Sequence, residues 1–465
     1  MRLAVSLFGL LFGFQSVTAQ IEPEHIYESL HVKRFKLPSN EGRYAHLNEN
    51  GALLIFDDTH QLINTTALTY NTVGNSTDYI LLAAGTTIFD EDPDIEVAVL
   101  HKNNALGVPL GTYVFDDNGD VLHFFNTEAR LLDIDNFTYF ITSSNGTATV
   151  FDATTFSSLG TINGYYGSLK TSTSGTKICA FNSSTNAIEL FNSDLSLWKS
   201  IPIANANLST TRPSAIATLD MSANSEVILS IDNKILSENG NVAFEGPVGT
   251  TTKVYNFENQ AALFVVNSYE TGTASGKVYN FADLQLLQEF AHPIFLSTTN
   301  SSNPNIIQLG SLNNLNTKVY NFSGELLQTH IIPENPLIND NPNLLESISD
   351  QSVLNNGNGY YYAAIKEQSV GMGSGYSYTG IVQNQDGNTV INQENIGFWE
   401  LSSIEGLEHK IIGITNYTTL AFPELNGKTY VYDFTTLNTN EIFENQLNIY
   451  PNPTADLLNI SNWES

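Results

Sequence analysis

Residues 129–162 read Ala129-Arg130-Leu131-Leu132-Asp133, then Thr138-Tyr139-Phe140-Ile141, then Ala148-Thr149-Val150-Phe151-Asp152, then Ser158-Leu159-Gly160-Thr161-Ile162. Four short runs rich in β-branched and aromatic residues are separated by polar turns, the pattern of four consecutive antiparallel strands. The third run ends in an aromatic followed by Asp, and that ending recurs along the chain. It is found at Leu54-Ile55-Phe56-Asp57, Tyr113-Val114-Phe115-Asp116, Glu189-Leu190-Phe191-Asn192, Lys277-Val278-Tyr279-Asn280, Lys318-Val319-Tyr320-Asn321 and Tyr430-Val431-Tyr432-Asp433. The aromatics of the whole series lie 59, 36, 40, 88, 41 and 112 residues apart. Lys234-Ile235-Leu236 fills the first long gap and Thr379-Gly380-Ile381-Val382 the second. Each copy is followed by a polar turn and another apolar run, as in Asp117-Asn118-Gly119-Asp120 before Val121-Leu122-His123-Phe124. Asn-Gly and Ser-Gly supply the positive φ that tight hairpins require. Lys253-Val254-Tyr255-Asn256 copies the ending but lies too close to Tyr279, and reads as the innermost strand of its own unit.

Four antiparallel strands per roughly forty residues form a sheet that buries too little alone, but radially stacked copies cover one another. That explains apolar residues on both phases of the inner strands. The body resembles the β-propeller superfamily in the general manner of WD40 and quinoprotein propellers. It lacks the Gly-His and Trp-Asp marks of WD40 blades and any calcium-loop or kelch signature. The expected fold is all-β, a β-propeller of seven to nine four-stranded blades with eight favoured, over residues 20–445. A pair of β-sandwiches is the competing architecture. Stability is expected from burial, because the one cysteine, Cys179, has no internal disulfide partner and sits in an alternating strand as a buried small hydrophobe.

The termini speak of address. Arg2, the apolar run Leu3 to Phe14 and the small-residue site Val17-Thr18-Ala19 have the pattern of a cleaved export signal over residues 1–19. The run is too short for a permanent membrane span, and no later stretch reaches eighteen apolar residues. At the other end stands Leu447-Asn448-Ile449-Tyr450-Pro451-Asn452-Pro453, then Leu458-Asn459-Ile460 in alternation. It resembles the opening of the type A C-terminal sorting domain of the Bacteroidetes type IX secretion system, with Tyr450, Pro451, Asn452 and Pro453 as its specific part. Residues 446–465 would be the start of a truncated sorting domain, since the family's domain is several times longer. The resemblance implies passage through the periplasm to the outer cell surface or the medium, with the type IX machinery as a partner.

A formal net charge of −30 excludes phosphate backbones and anionic lipid as favoured partners. No nucleophile elbow, phosphate loop, dinucleotide fingerprint or zinc spacing occurs, and the nine histidines are scattered singly. His101 and His123, in or beside strands, could be ligands but read better as satisfied or solvent-facing side chains. No cofactor is expected. The loop Asp90-Glu91-Asp92-Pro93-Asp94-Ile95-Glu96 carries enough oxygens for a weak Ca²⁺ site, but reads better as a solvated connection. Asp116 to Asp120 reads as a turn. Asn-x-Ser/Thr triplets, such as those at Asn64 and Asn321, are expected by chance in this composition.

The most unusual segment is Gly371-Met372-Gly373-Ser374-Gly375-Tyr376-Ser377-Tyr378, preceded by Tyr360-Tyr361-Tyr362. Tyrosines offer flat amphipathic surfaces for sugar rings or protein hot spots, so Tyr360, Tyr361, Tyr362, Tyr376 and Tyr378 are the candidate binding residues. The expected function is a monomeric, secreted or surface-displayed binding or structural module that engages protein or polysaccharide through rim loops. The alternative is an extracellular propeller enzyme, a glycan hydrolase or lyase, which would need convergent carboxylates at the channel mouth. No catalytic or metal-ligating residue is singled out.

Overall fold

The computed structural model describes residues 21–433 apart from connecting segments, of which 204–216, 331–344, 347–360 and 416–426 are the longest, together with 448–451 and 458–461. The leader 1–19, Asp90 to Pro93, Tyr360, Gly371 to Gly375, and Asn452 with Pro453 lie outside the described residues.

Strands pair antiparallel in four-stranded sheets whose order follows the chain. In chain order these occupy residues 33–66, 77–125, 129–163, 165–202, 217–245, 250–290, 294–330, 345–394 and 396–433, sheets one to nine. The last contributes only three strands, and its fourth is His25–Tyr27, paired along Thr429–Asp433. A separate hairpin joins Asn448–Pro451 to Leu458–Ser461. Thr250–Tyr255 is the first strand of its own sheet, and Lys234–Leu236 is the third strand of sheet five.

Neighbouring sheets bury each other's faces, and one strand serves two cores. Val97 and Val99 pack with Leu47, Leu53 and Ile55 of sheet one, whereas Ala98 between them packs with Ala129 and Phe140 of sheet three. Tyr139 and Ile141 join Ile178 and Ala180 of sheet four, while Cys179 faces a core shared with Leu236 of sheet five. Alternation at period two thus sends successive side chains of an inner strand into different cores. Fully burying each such aliphatic side chain is worth about 1.5–3 kcal/mol. Four-stranded sheets that cover both faces of their neighbours in series are the blades of a β-propeller.

The favoured count of eight blades is corrected. The structure supports six propeller blades, while strand pairing among the described residues gives nine four-stranded sheets whose side chains are described to differing extents. Counting aromatic endings cannot yield the number, because the bulge residue is Leu236 in sheet five and Gln383 in sheet eight.

The recurring aromatic-Asp ending is a bulge followed by a capped turn. The register of the third strand against the fourth shifts at Ile55/Phe56, Val114/Phe115, Val150/Phe151, Leu190/Phe191, Val278/Tyr279 and Val319/Tyr320. The next residue caps the turn: Asp57 Oδ1 accepts from Thr59 N at 2.9 Å and Gln61 N at 2.9 Å. Asp116 Oδ1 accepts from Asn118 N and Asp120 N, and Asn321 Oδ1 from Glu325 N. Short polar side chains do this because they reach their own backbone two to four residues on. The turn needs one left-handed residue, which is Gly119, Gly240 or Gly324 in three sheets and His60, Phe156, Leu195 or Leu284 in four others. At Gly119 a side chain is excluded twice, by φ +84° and by the Ala67 carbonyl that a Cβ would strike. These tips lean on the preceding blade, as where Thr66 Oγ1 donates to Asp117 O at 3.2 Å and Gln288 Nε2 to Phe322 O at 3.1 Å.

Candidate functional site

The antiparallel order gives each blade two ends. First-to-second and third-to-fourth connections lie at one end, and second-to-third hairpins at the other. The tyrosine-rich segment forms the second and third strands of sheet eight, Tyr361–Ser369 and Tyr376–Asn384, at nine residues each. Among the described residues the fourth strand pairs as far as Thr379, and the first meets Ala363 and Ala364. Glu367 to Ser369 and Tyr376 to Tyr378 pair, among the described residues, with each other and with no flanking strand.

The register separates the candidates that adjoin in sequence. Tyr361 pairs with Asn384 and Tyr362 with Gln383 at the base of the hairpin, whereas Tyr376 pairs with Ser369 and Tyr378 with Glu367 at its tip. Five to eight residues of strand, about 17–26 Å at roughly 3.3 Å per residue, separate the two groups. Tyr376 and Tyr378 fall on the same phase of one strand; Tyr361 and Tyr362 belong to the opposite end of the blade. Of the sorting residues, Tyr450 and Pro451 lie in the strand paired with Leu458–Ser461, with Tyr450 opposite Asn459.

A second constellation was invisible in the sequence because it closes the ring. His60 Nδ1 hydrogen-bonds the Tyr27 hydroxyl at 2.7 Å, and its Nε2 lies 3.6 Å from Glu24 Oε1. Lys410 Nζ bridges Glu24 Oε2 at 2.9 Å and Asp433 Oδ2 at 3.0 Å. His25 stacks on His60 with centroids 4.6 Å apart, and His46 stacks on Phe56. Burial alone would raise the Glu24 carboxyl, but its bonds with His60 and Lys410 prevail and hold it below the ordinary range. Burial would likewise lower Lys410, and the bonds from Glu24 and Asp433 raise it instead. Burial pushes the Tyr27 phenol far upward, so it stays neutral. Tyr27, His60 and Lys410 are all buried, and through Glu24 this chain of contacts clasps the first strand of the ring to its last.

The other histidine candidates are packed. His101 is fully buried and stacked on Tyr79, and His123 stacks on Phe156 at 4.7 Å; burial lowers both rings. Among the described residues, no group of three or more His, Cys, Asp or Glu side chains is placed to hold a metal ion. Glu96, at the end of the acidic loop, is buried and accepts from Phe89 N at 2.9 Å, so it anchors that loop. No helix among the described residues is long and apolar enough to cross a membrane.

No protein-family model matches the chain, and no curated protein does. Among solved structures it is similar to the Dos1 propeller, at 13% identity and a TM-score of 0.42 over 89% of this chain and 96% of that one. It is also similar to a eukaryotic initiation factor, at 9% identity and a TM-score of 0.46 over 78% and 87% of the two chains. The class of the protein, a β-propeller with four-stranded blades, stands on the sheet order and the two-sided cores described above.

Proposed function

We propose that this chain is an exported β-propeller that serves as a binding or structural module, taking a protein or polysaccharide on a rim of the ring. The observation that carries the reading is the hairpin end of sheet eight, where Tyr376 and Tyr378 lie on a strand that there pairs, among the described residues, only with Glu367 to Ser369. Tyrosine is a favoured binding anchor because its large amphipathic ring has few rotatable bonds to immobilise. The amino-terminal leader and the Tyr450 to Pro453 segment support export through the type IX route to the surface or the medium.

The test is a glycan and surface-protein binding screen with two double variants, Tyr376→Ala/Tyr378→Ala and Tyr361→Ala/Tyr362→Ala. The tip pair is expected to lose at least ten-fold in affinity while the base pair retains binding. Equal loss in both, or retention by the tip variant, refutes the assignment to the hairpin end. Fusing residues 446–465 to a reporter and scoring its secretion in a strain with and without the type IX system tests the sorting segment.

A further inference from the structure

A recurring aliphatic exposure marks the outer wall at the opposite end of the blades from the tyrosine tip. The first residue of the fourth strand pairs with the bulge residue of the third, as in Phe56 with Leu62, Phe191 with Leu197, Tyr279 with Leu286 and Tyr320 with Leu326. All four leucines are exposed. Single exposed leucines are ordinary, but natural sheets commonly place charge on an edge strand. On sheets six and seven the second residue of the fourth strand, Leu287 or Leu327, is an exposed leucine as well. Leu284, Leu286, Leu287, Leu326 and Leu327 are between 37% and 50% exposed, and the bond from Gln288 to Phe322 holds the two blades together there.

Leu284 adds an independent sign. It holds the left-handed turn position at φ 58°, a conformation costly for a branched side chain. Phe156 and Leu195 occupy the same position in sheets three and four but pack into inter-blade cores. Leu284 bears the same strain with its side chain toward solvent.

Charge selects the occupant. Asp283 and Glu325, both exposed, flank the leucines, and Lys277 on the neighbouring strand is engaged by Glu289 at 3.1 Å. The described turns at this end of the other blades add Asp57, Asp58, Asp116, Asp117, Asp120, Asp152 and Asp194, and among their described residues carry no Lys or Arg. A second copy of this chain, with formal charge −30, is repelled, and so is an anionic lipid surface. Sugar rings stack on flat aromatic faces, whereas these leucines are branched aliphatic. We infer that the Leu284–Leu327 patch of sheets six and seven docks a cationic polypeptide segment in which Lys or Arg alternates with aliphatic residues. Its aliphatic side chains cover the leucines and its cations meet Asp283 and Glu325. This goes beyond the tyrosine tip, which lies at the other end of the blades.

The experiment uses the full chain and a fluorescein-labelled twelve-residue peptide of alternating Lys and Leu, with Lys/Ser and Glu/Leu counterparts, followed by anisotropy at low and moderate salt. The Lys/Leu peptide is expected to bind, with both counterparts at least ten-fold weaker. Leu286→Ser/Leu326→Ser should weaken binding at least ten-fold with an unchanged melting temperature. Asp283→Asn/Glu325→Gln, which keeps the turn acceptors, should weaken binding and flatten its salt dependence. Leu62→Ser, at the same register position on sheet one, should leave affinity unaltered. No binding of the Lys/Leu peptide, equal weakening by Leu62→Ser, or full affinity in the leucine double variant overturns the assignment. Binding to vesicles of anionic phospholipid that is abolished by Leu286→Ser/Leu326→Ser would also overturn it, in favour of a membrane. Should the leucine variant not fold, the Asp283/Glu325 pair decides alone.

Discussion

Replacing Lys410 by Met tests how the ring is held shut. Lys410 opens the strand Lys410–Thr415, pairs in register with Asp433, and reaches across to Glu24 just before the strand His25–Tyr27. Its side chain is 5% exposed, so the substitution strands two partly buried carboxylates without their cation. Breaking a buried pair from one side typically costs about 3–5 kcal/mol. For roughly 400 ordered residues, at about 2.1 cal/mol/K each, the entropy of unfolding is near 0.85 kcal/mol/K, so a loss of ~3–5 kcal/mol lowers Tm by about 4–6 °C. The pH dependence is as informative as the size. Glu24 is depressed in the folded protein, so its stabilisation is complete above its ordinary value of 4.5 and is lost as pH falls through the folded one. Lys410 is raised above its ordinary value of 10.5, so its share is complete below that and lost only as pH rises through the folded value. The gap between wild type and Lys410→Met is therefore expected to be widest near neutrality and to shrink below pH 4.5. Differential scanning calorimetry at pH 7.5 and pH 4 reads both quantities, and the triple variant Glu24→Gln/Lys410→Met/Asp433→Asn should recover most of the loss. An unshifted Tm at pH 7.5, or an equal gap at both pH values, would refute the clasp.

Two further outcomes follow from single positions. Gly119→Ala should destabilise by about 2–3 kcal/mol in urea melts, from left-handed strain and the forced displacement at Ala67, and a change under 0.5 kcal/mol would contradict the tip packing. Cys179 is buried and its thiol is pushed up to about 12, so maleimide labelling at pH 7.5 should occur only on unfolding; labelling at the rate of a free thiol would show that core to be open.

What the sequence disclosed was local. Phe151 followed by Asp152 announces a strand end and a turn because the carboxylate caps amides two and three residues on, within reach of a reader of the chain. The reading of Asp116 to Asp120 as a turn held for the same reason. The blade number did not emerge, since sheets five and eight place Leu236 and Gln383 where the others have an aromatic ending, and nothing local says that His25–Tyr27 completes a sheet four hundred residues away. The meeting of His25, His46 and His60 was hidden likewise, as it depends on that closure. Tyr361 and Tyr376 illustrate the converse error. They lie close in the sequence and look like one surface, yet a hairpin sends them to opposite ends of its ladder. Leucine and phenylalanine at left-handed turn positions were unreadable too, because composition names glycine there and only packing identifies Leu195 or Phe156.

The pairing of His25–Tyr27 with Thr429–Asp433 makes the topology circular, with no privileged starting point. A gene permuted to begin at the Ser144–Thr147 hairpin, with a short linker bridging the old ends, should still spell the same ring. In the natural order the final zipper cannot engage until the whole length is present, which makes sealing of the circle the last act of folding and the natural place for a slow phase.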